Sequence, residues 1–147
     1  MKPPVAVSSR DNPSLARIRK LLADPGATRK LGWIWLEGDH LIRAALTRGV
    51  ALAEVLVDAA RADDALLQPL LAAAPRASVV DSRLWRELSG LETPTPIGAL
   101  VAVPAAAVLQ PGVATVVLDR LQDAGNAGSI LRSAAALGVR QVVALKG

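Results

Sequence analysis

The 147 residues predict an α/β protein made of two successive parts. Two observations carry this expectation. Short apolar runs such as Trp33-Ile34-Trp35-Leu36 and Val116-Val117-Leu118 alternate along the chain with amphipathic helical stretches, a pattern that sets helices against a sheet. A charge-free stretch rich in Ala and Pro, residues 104–112, interrupts this alternation and reads as an interdomain linker. The expected architecture is a small three-layer α/β domain over residues 1–103, then one βαβ unit over residues 113–147.

Composition narrows the class. The length suffices for one sizeable core, or for a domain plus a fragment. Hydrophobic residues make up 52% and cysteine is absent, which excludes disulfides and fits a reducing cytoplasm. No apolar signal segment opens the chain. Residues 93–118 carry no charge, yet Pro94, Pro96, Pro104 and Pro111 interrupt them. Two strands and a linker are therefore expected there, and no membrane span. Residues 1–50 carry a net charge of +5, residues 51–110 a net −3, and residues 111–147 a net +2. A basic first third suggests a surface for a polyanion, against the plainer alternative of a solvated basic helix.

The elements follow in order. Asn12-Pro13 reads as an N-cap and first helical residue. The helix they open is expected to bury Leu15, Ile18, Leu21 and Leu22, to expose Arg17, Arg19 and Lys20, and to end at Pro25-Gly26. Arg29-Lys30 form a basic turn before the strand Trp33 to Leu36, and Glu37-Gly38 lead into a helix from His40 to Arg48 that Gly49 ends. Glu54 to Val57 reads as a strand, and residues 60–74 as a helical stretch that Pro69 must kink or restart. Ser78 to Val80 is the next strand, Asp81 caps a helix through Leu88 that Gly90 stops, and Ile97 to Val103 is another strand. The lone His40 has no Ser or Cys partner in the pattern and reads as a surface or capping residue. Trp33 and Trp35 share one strand face and, with Trp85, are expected to supply core bulk in a chain without Phe or Tyr. Stacking on RNA bases is the minority alternative for them.

The most informative stretch is 116–138, VVLDRLQDAGNAGSILRSAAALG. Val116 to Leu118 reads as a buried strand of a parallel sheet. Asn126 stands where an N-cap belongs, and Gly138 where the helix would stop. Ala127, Ile130, Leu131, Ala134 and Ala135 fall on one face; Ser129, Arg132, Ser133 and Ala136 fall on the other. Arg132 thus stands on the open face of a helix just above a strand's carboxyl end, where open α/β sheets place ligands. A helix N-terminus and a guanidinium fork suit phosphate oxygens, and the Asn126 amide both donates and accepts. No reactive Cys, metal cluster or carboxylate dyad accompanies them, and no metal is expected. Gly125 to Gly128 give GxxG rather than the dinucleotide fingerprint, Lys146 stands where an acidic ribose ligand would be expected, and no GK[ST] loop is present. By spacing alone, a phosphodiester site and an ordinary capped helix with a solvated arginine both remain open.

LDRLQDAGNAGSILRSAAALG resembles the first conserved motif of the SpoU (TrmH-like) RNA ribose 2′-O-methyltransferases of the knotted SPOUT class, roughly LDxxxDPxNxGxIxRxAxAxG. The match runs through Leu118, Asp119, Asp123, Asn126, Gly128, Ile130, Arg132, Ala134, Ala136 and Gly138, and departs at Ala124, where proline is usual. Upstream, SRDNP, Arg29-Lys30 and WLEGDHLIRAAL resemble the substrate-binding segment SxxNP…RK…FxxEGxxxxxxAL that precedes many such catalytic domains. Residues 95–98 are similar to the family's TPQG, with Ile97 replacing glutamine.

The resemblance implies a ribosomal-protein-like RNA-binding domain over 1–103. The start of a knotted, Rossmann-like methyltransferase domain follows over 113–147, truncated before the knot. It implies Arg132 as the catalytic arginine and Asn126 as its motif partner. The cofactor implied is S-adenosylmethionine, in a pocket expected from motifs beyond residue 147. The partners implied are structured RNA (rRNA or tRNA) and, for the full-length protein, a second copy in a homodimer. Candidate RNA contacts are Arg10, Asn12, Lys20, Arg29, Lys30, Ser129 and Arg132. The chain alone is expected to be inactive. The competing expectation is a non-catalytic RNA-binding module resembling ribosomal proteins.

Overall fold

A computed structural model of the chain describes residues 3–89, 93–105 and 108–145. Two compact units divide it, Met1–Pro104 and Ala105–Gly147.

In the first unit, side-chain caps set where two of the described α-helices begin. Strand β1 (Val5–Val7) leads to α1 (Pro13–Ala23), whose cap Asn12 accepts hydrogen bonds from the Ser14 and Leu15 amides at 2.9 and 3.4 Å. Leu15 and Ile18 are buried as the spacing predicts. Leu22 is exposed instead: it lies in the last turn, and the helix ends one residue later. The expected basic turn is a short helix, α2 (Ala27–Leu31), because Gly32 at φ 71° closes the backbone around Arg29 and Lys30. Then follow β2 (Trp33–Glu37), α3 (Asp39–Thr47) and β3 (Leu52–Asp58). Residues 60–74 do not form one helix. A 3₁₀ turn at Ala59–Arg61 precedes α4 (Gln68–Ala72), which restarts at Pro69. Strand β4 (Ala77–Val80) leads to α5 (Ser82–Leu88), capped by Asp81, and β5 (Ile97–Ala102) completes the sheet. The expected stop at Gly90 lies outside the described residues.

The sheet order is β1-β4-β3-β5-β2. The pairs β1–β4 and β4–β3 are parallel, whereas β3–β5 and β5–β2 are antiparallel. This mixed sheet carries helices on both faces. On one face Val55, Val57, Ile97, Ala99 and Val101 meet Ile42 of α3 and Leu70 and Leu71 of α4. On the other, Val7, Leu56, Val80 and Leu100 meet Leu15 and Ile18 of α1 and Trp85 and Leu88 of α5. Alternation along β3 and β5 separates the two sets. A bulge between Leu52 and Glu54 shifts the register, so Leu52 joins Val55 and Val57 while Glu54 faces α1 with Leu56.

The second unit holds β6 (Thr115–Asp119), α6 (Ala124–Ala136) and β7 (Gln141–Leu145), with β6 and β7 paired in parallel from Thr115–Gln141 to Asp119–Leu145. Asn126 is not the cap of α6. Asp123 is, its Oδ1 accepting from the Asn126 amide at 2.6 Å, so Asn126 becomes the third helical residue. At the other end Gly138 adopts φ 76°, and the Gly138 and Val139 amides donate to Ala135 and Ala134 at 3.1 and 2.9 Å. Burial is less than expected. Ala134 is 5% exposed, whereas Leu131 is 44% and Val117 56% exposed. A pair of strands and one helix have too little surface to cover both faces of either. Lys146 lies outside the described residues, as do positions 106 and 107 of the expected linker.

Candidate functional site

The site in the second unit is built from the turn between β6 and α6 and from the exposed stripe of that helix. Asp119 ends β6, and Arg120, at a left-handed φ of 47°, pairs with it at 3.2 Å. The Asp123 cap then turns the chain into α6. Because Asp123 caps, the Asn126 side chain is spared that task and stands exposed in the first turn. One turn on, the Ser129 hydroxyl donates to the Gly125 carbonyl at 3.0 Å, and Arg132 Nη2 donates to Ser129 Oγ at 3.4 Å. Arg132 therefore leans toward the helix N-terminus, as side chains on helices do. The steps of three from Asn126 to Ser129 to Arg132 keep all three on neighbouring surface. Together they offer an amide, a hydroxyl and a planar cation beside a helix N-terminus, a set suited to phosphate and ribose oxygens.

The predicted basic residues of the first unit form two groups. Lys30 Nζ lies 3.2 Å from Asp24 Oδ2 at the end of α1. The Asp24 carboxyl is held below its ordinary value of 3.8 chiefly by the Gly26 amide, then by Lys30, with a smaller contribution from Lys20. Lys30 thus pairs with this carboxylate while Lys20 acts on it only weakly, and Arg29 shares the short α2 with Lys30. Arg10 stands apart, before the start of α1, with Nη2 3.6 Å from Glu87 of α5. Asn12 is occupied with capping. His40 is exposed.

The tryptophans divide similarly. Trp85 is buried, donates from Nε1 to the Thr95 carbonyl at 2.9 Å, and lies 6.3 Å from Trp35 between ring centroids. Trp33 is only partly buried, and the Arg17 guanidinium lies 5.4 Å from its ring centroid.

Glu54 was not singled out by spacing, yet it is a 3% exposed carboxylate. Ser14 Oγ and Ser78 Oγ donate to its two oxygens at 2.7 and 2.9 Å. The available signal was one acidic residue inside the apolar run Leu52 to Val57. Among the described residues no cluster of His, Cys, Asp or Glu is placed to hold a metal, and no helix is long and apolar enough to cross a membrane.

The SpoU resemblance of the sequence is matched by independent similarities. The chain is 29% identical over 141 residues to an uncharacterized tRNA/rRNA methyltransferase of Synechocystis sp. (strain ATCC 27184 / PCC 6803 / Kazusa), covering 93% of this chain and 51% of that protein. Its structure superposes on the SpoU methyltransferase AviRb from Streptomyces viridochromogenes, in complex with AdoMet, with a TM-score of 0.78 and 26% identity over 90% of this chain and 52% of AviRb. An RNA 2′-O ribose methyltransferase matches with a TM-score of 0.74 and 26% identity over 97% of this chain and 56% of that one. No family model matches. The mixed α/β fold is that of SpoU methyltransferase structures, and the chain spans about half the length of the relatives it matches.

Proposed function

We propose that this sequence is the N-terminal part of a cytoplasmic, homodimeric, S-adenosylmethionine-dependent RNA ribose 2′-O-methyltransferase. Residues 1–103, a ribosomal-protein-like domain, hold rRNA or tRNA; residues 104–112 link them to residues 113–147, the start of a SPOUT domain whose knot follows. The observation that carries this reading is the Asn126–Ser129–Arg132 stripe on α6, with Arg132 hydrogen-bonded to Ser129 at 3.4 Å. It occurs in a chain similar along nearly all its length to a tRNA/rRNA methyltransferase.

In this reading Arg132 grips a backbone phosphate through two parallel N–H bonds and stabilises the negative charge that develops on the neighbouring ribose 2′-oxygen. Ser129 fixes the guanidinium from below, and Asn126 holds the ribose or the adjoining loop. Gly128 supports an approach by RNA. A β-carbon there would meet nothing within 4 Å, so packing within the chain does not call for glycine, although mid-helix glycine costs roughly 0.5–1 kcal/mol relative to alanine.

The described residues of the second unit do not fit S-adenosylmethionine. The hollow beside α6, about 330 Å³, is lined by Val116, Ile130, Ala134, Leu137 and Val139 with two serines. An adenosine and a zwitterionic amino acid need more polar partners than that. No residue of this chain is assigned to the cofactor.

The test is methyl transfer by the gene product read through Gly147, with labelled S-adenosylmethionine and rRNA or tRNA. The phosphodiester linkage 3′ to one ribose should become resistant to alkaline hydrolysis, and Arg132→Ala should lose the label. Label on a base, or RNA binding without any transfer, overturns the reading, and the second outcome leaves a non-catalytic RNA-binding module.

A further inference from the structure

We infer that the first unit contains a pocket for one unpaired guanine base, read by the Glu54 carboxylate. The inference rests on the RNA-substrate reading of residues 1–103 and adds which nucleotide they select. A cavity of about 280 Å³ opens beside the amino ends of the parallel strands β1, β3 and β4, with Glu54, Ser78, Asn12, Arg76, Pro3 and Pro75 in its wall. That volume lies near the lower limit of ligand pockets, ~300 Å³, and suits a single base.

Glu54 decides which base. Burying a carboxylate without a cation is costly, and among the described residues no Lys or Arg pairs with it. Two hydroxyls and the positive end of α1, where Ser14 sits, offset part of that cost. Each Glu54 oxygen accepts one serine hydroxyl. A carboxylate has about four lone-pair positions, so one position on each oxygen remains for a ligand with two adjacent donors. Among the four RNA bases only guanine has such an edge, N1–H beside the 2-amino group. Adenine and cytosine set an acceptor next to their single amino group, and uracil flanks its N3–H with two carbonyls; each would point an acceptor at the carboxylate.

The remaining wall completes the fit. Pro3 and Pro75 supply flat apolar surface for the ring. The Asn12 Oδ1 is committed to the helix cap, which leaves its NH₂ as a donor for the guanine carbonyl. Arg76 is exposed at the cavity, and its own carbonyl is fixed by the Val55 amide at 3.0 Å, so its side chain can meet the phosphate of the same nucleotide. Splayed, unpaired bases read along their Watson–Crick edges are the usual target of sequence-specific RNA recognition.

The experiment titrates the 147-residue chain with GMP, IMP, AMP, CMP and UMP, followed by NMR. GMP should bind saturably and shift the amides of Ser14, Ala77 and Ser78. IMP, which lacks only the 2-amino group, should bind at least tenfold more weakly, and the others more weakly still. Glu54→Gln keeps the shape but places an amide donor in the cavity, and should abolish the preference for GMP. If that variant does not fold, the GMP-to-IMP ratio of the wild type decides alone. Equal binding of all five nucleotides, no binding at millimolar concentration, or GMP preference retained by folded Glu54→Gln overturns the inference. Methyl transfer with no guanine preference here would sink the pocket alone, whereas guanine binding without methyl transfer would sink the enzyme reading alone.

Discussion

The indole of Trp35 fills the space that any side chain at Gly98 would need: a β-carbon there would lie 2.2 Å from Trp35 Cη2 and Cζ2. Trp35 pairs with Leu100 in the β2–β5 register, and Gly98 pairs with Glu37. The ring therefore reaches diagonally across the strand pair to a neighbour two residues away. Its other neighbour is the buried Trp85, so it cannot withdraw freely.

Gly98→Ala is accordingly expected to destabilise the first unit by about 1–3 kcal/mol, the usual cost of overfilling a core. Urea unfolding would measure it. Combining it with Trp35→Leu should recover part of the loss, with a coupling above roughly 0.5 kcal/mol. Strict additivity would show that the two residues do not compete for the same space.

RNA binding should follow the two basic groups. Reversing Arg10, Lys20, Arg29 and Lys30 to Glu together should abolish binding of structured RNA, and wild-type affinity should fall steeply with salt as counterion release weakens. Lys30 pairs with Asp24, Lys20 acts on the same carboxylate and Arg29 shares the short α2 with Lys30, whereas Arg10 is apart beside Glu87. The triple reversal should therefore cost more than Arg10→Glu alone. Filter binding at two salt concentrations tests this, and wild-type affinity in the quadruple variant would place the RNA face elsewhere.

Asp24 gives a pH signature for the same cluster. Its folded-state pKa is depressed, so its contribution to stability is present above the ordinary value of 3.8 and is lost as pH falls through the lower folded value. Lys30→Ala should raise the Asp24 pKa only part of the way back, because the larger cause, the Gly26 amide, remains. Carboxyl ¹³C titration would read this; full return to 3.8 would assign the whole effect to the lysine.

For Arg132 the decisive change is conservative. Lysine keeps the charge but loses the planar fork, so Arg132→Lys in the gene product read through Gly147 should slow methyl transfer at least about tenfold, or roughly 1.4 kcal/mol. S-adenosylmethionine affinity should change little, since no residue of this chain is assigned to that pocket. Equal losses in both would contradict that division.

Hydrogen exchange should separate the two units. Val117, Leu131 and Leu145 are exposed in the second, whereas Val55, Leu56 and Ile97 are fully buried in the first. Residues 115–145 should exchange much faster than β3 and β5 in the monomeric chain. Comparable protection would mean that two strands and one helix suffice for a stable core.

The sequence by itself determined the elements whose signals are local. Asn12 and Asp81 start their helices, Pro69 restarts one and Gly138 ends one, because the groups involved lie within four residues of each other. The mixed α/β class followed from the same alternation. The shared face of Ser129 and Arg132 was legible too, since one helix carries both, but Asn126 was expected at the cap and not on that stripe. Tertiary structure decided the rest. Strand β1 has three residues, too few to show a period, and exists because β4 offers a parallel edge. Asp123 and Asn126 can each cap a helix, and the extended backbone at Asp123 where the turn from β6 arrives selects the earlier one. Glu54 looked like part of an apolar strand. Only the bulge that turns it toward α1, and hydroxyls 40 residues before it and 24 after it, make it a buried acceptor. Such a meeting depends on strand register and helix placement, which no stretch of contiguous residues encodes.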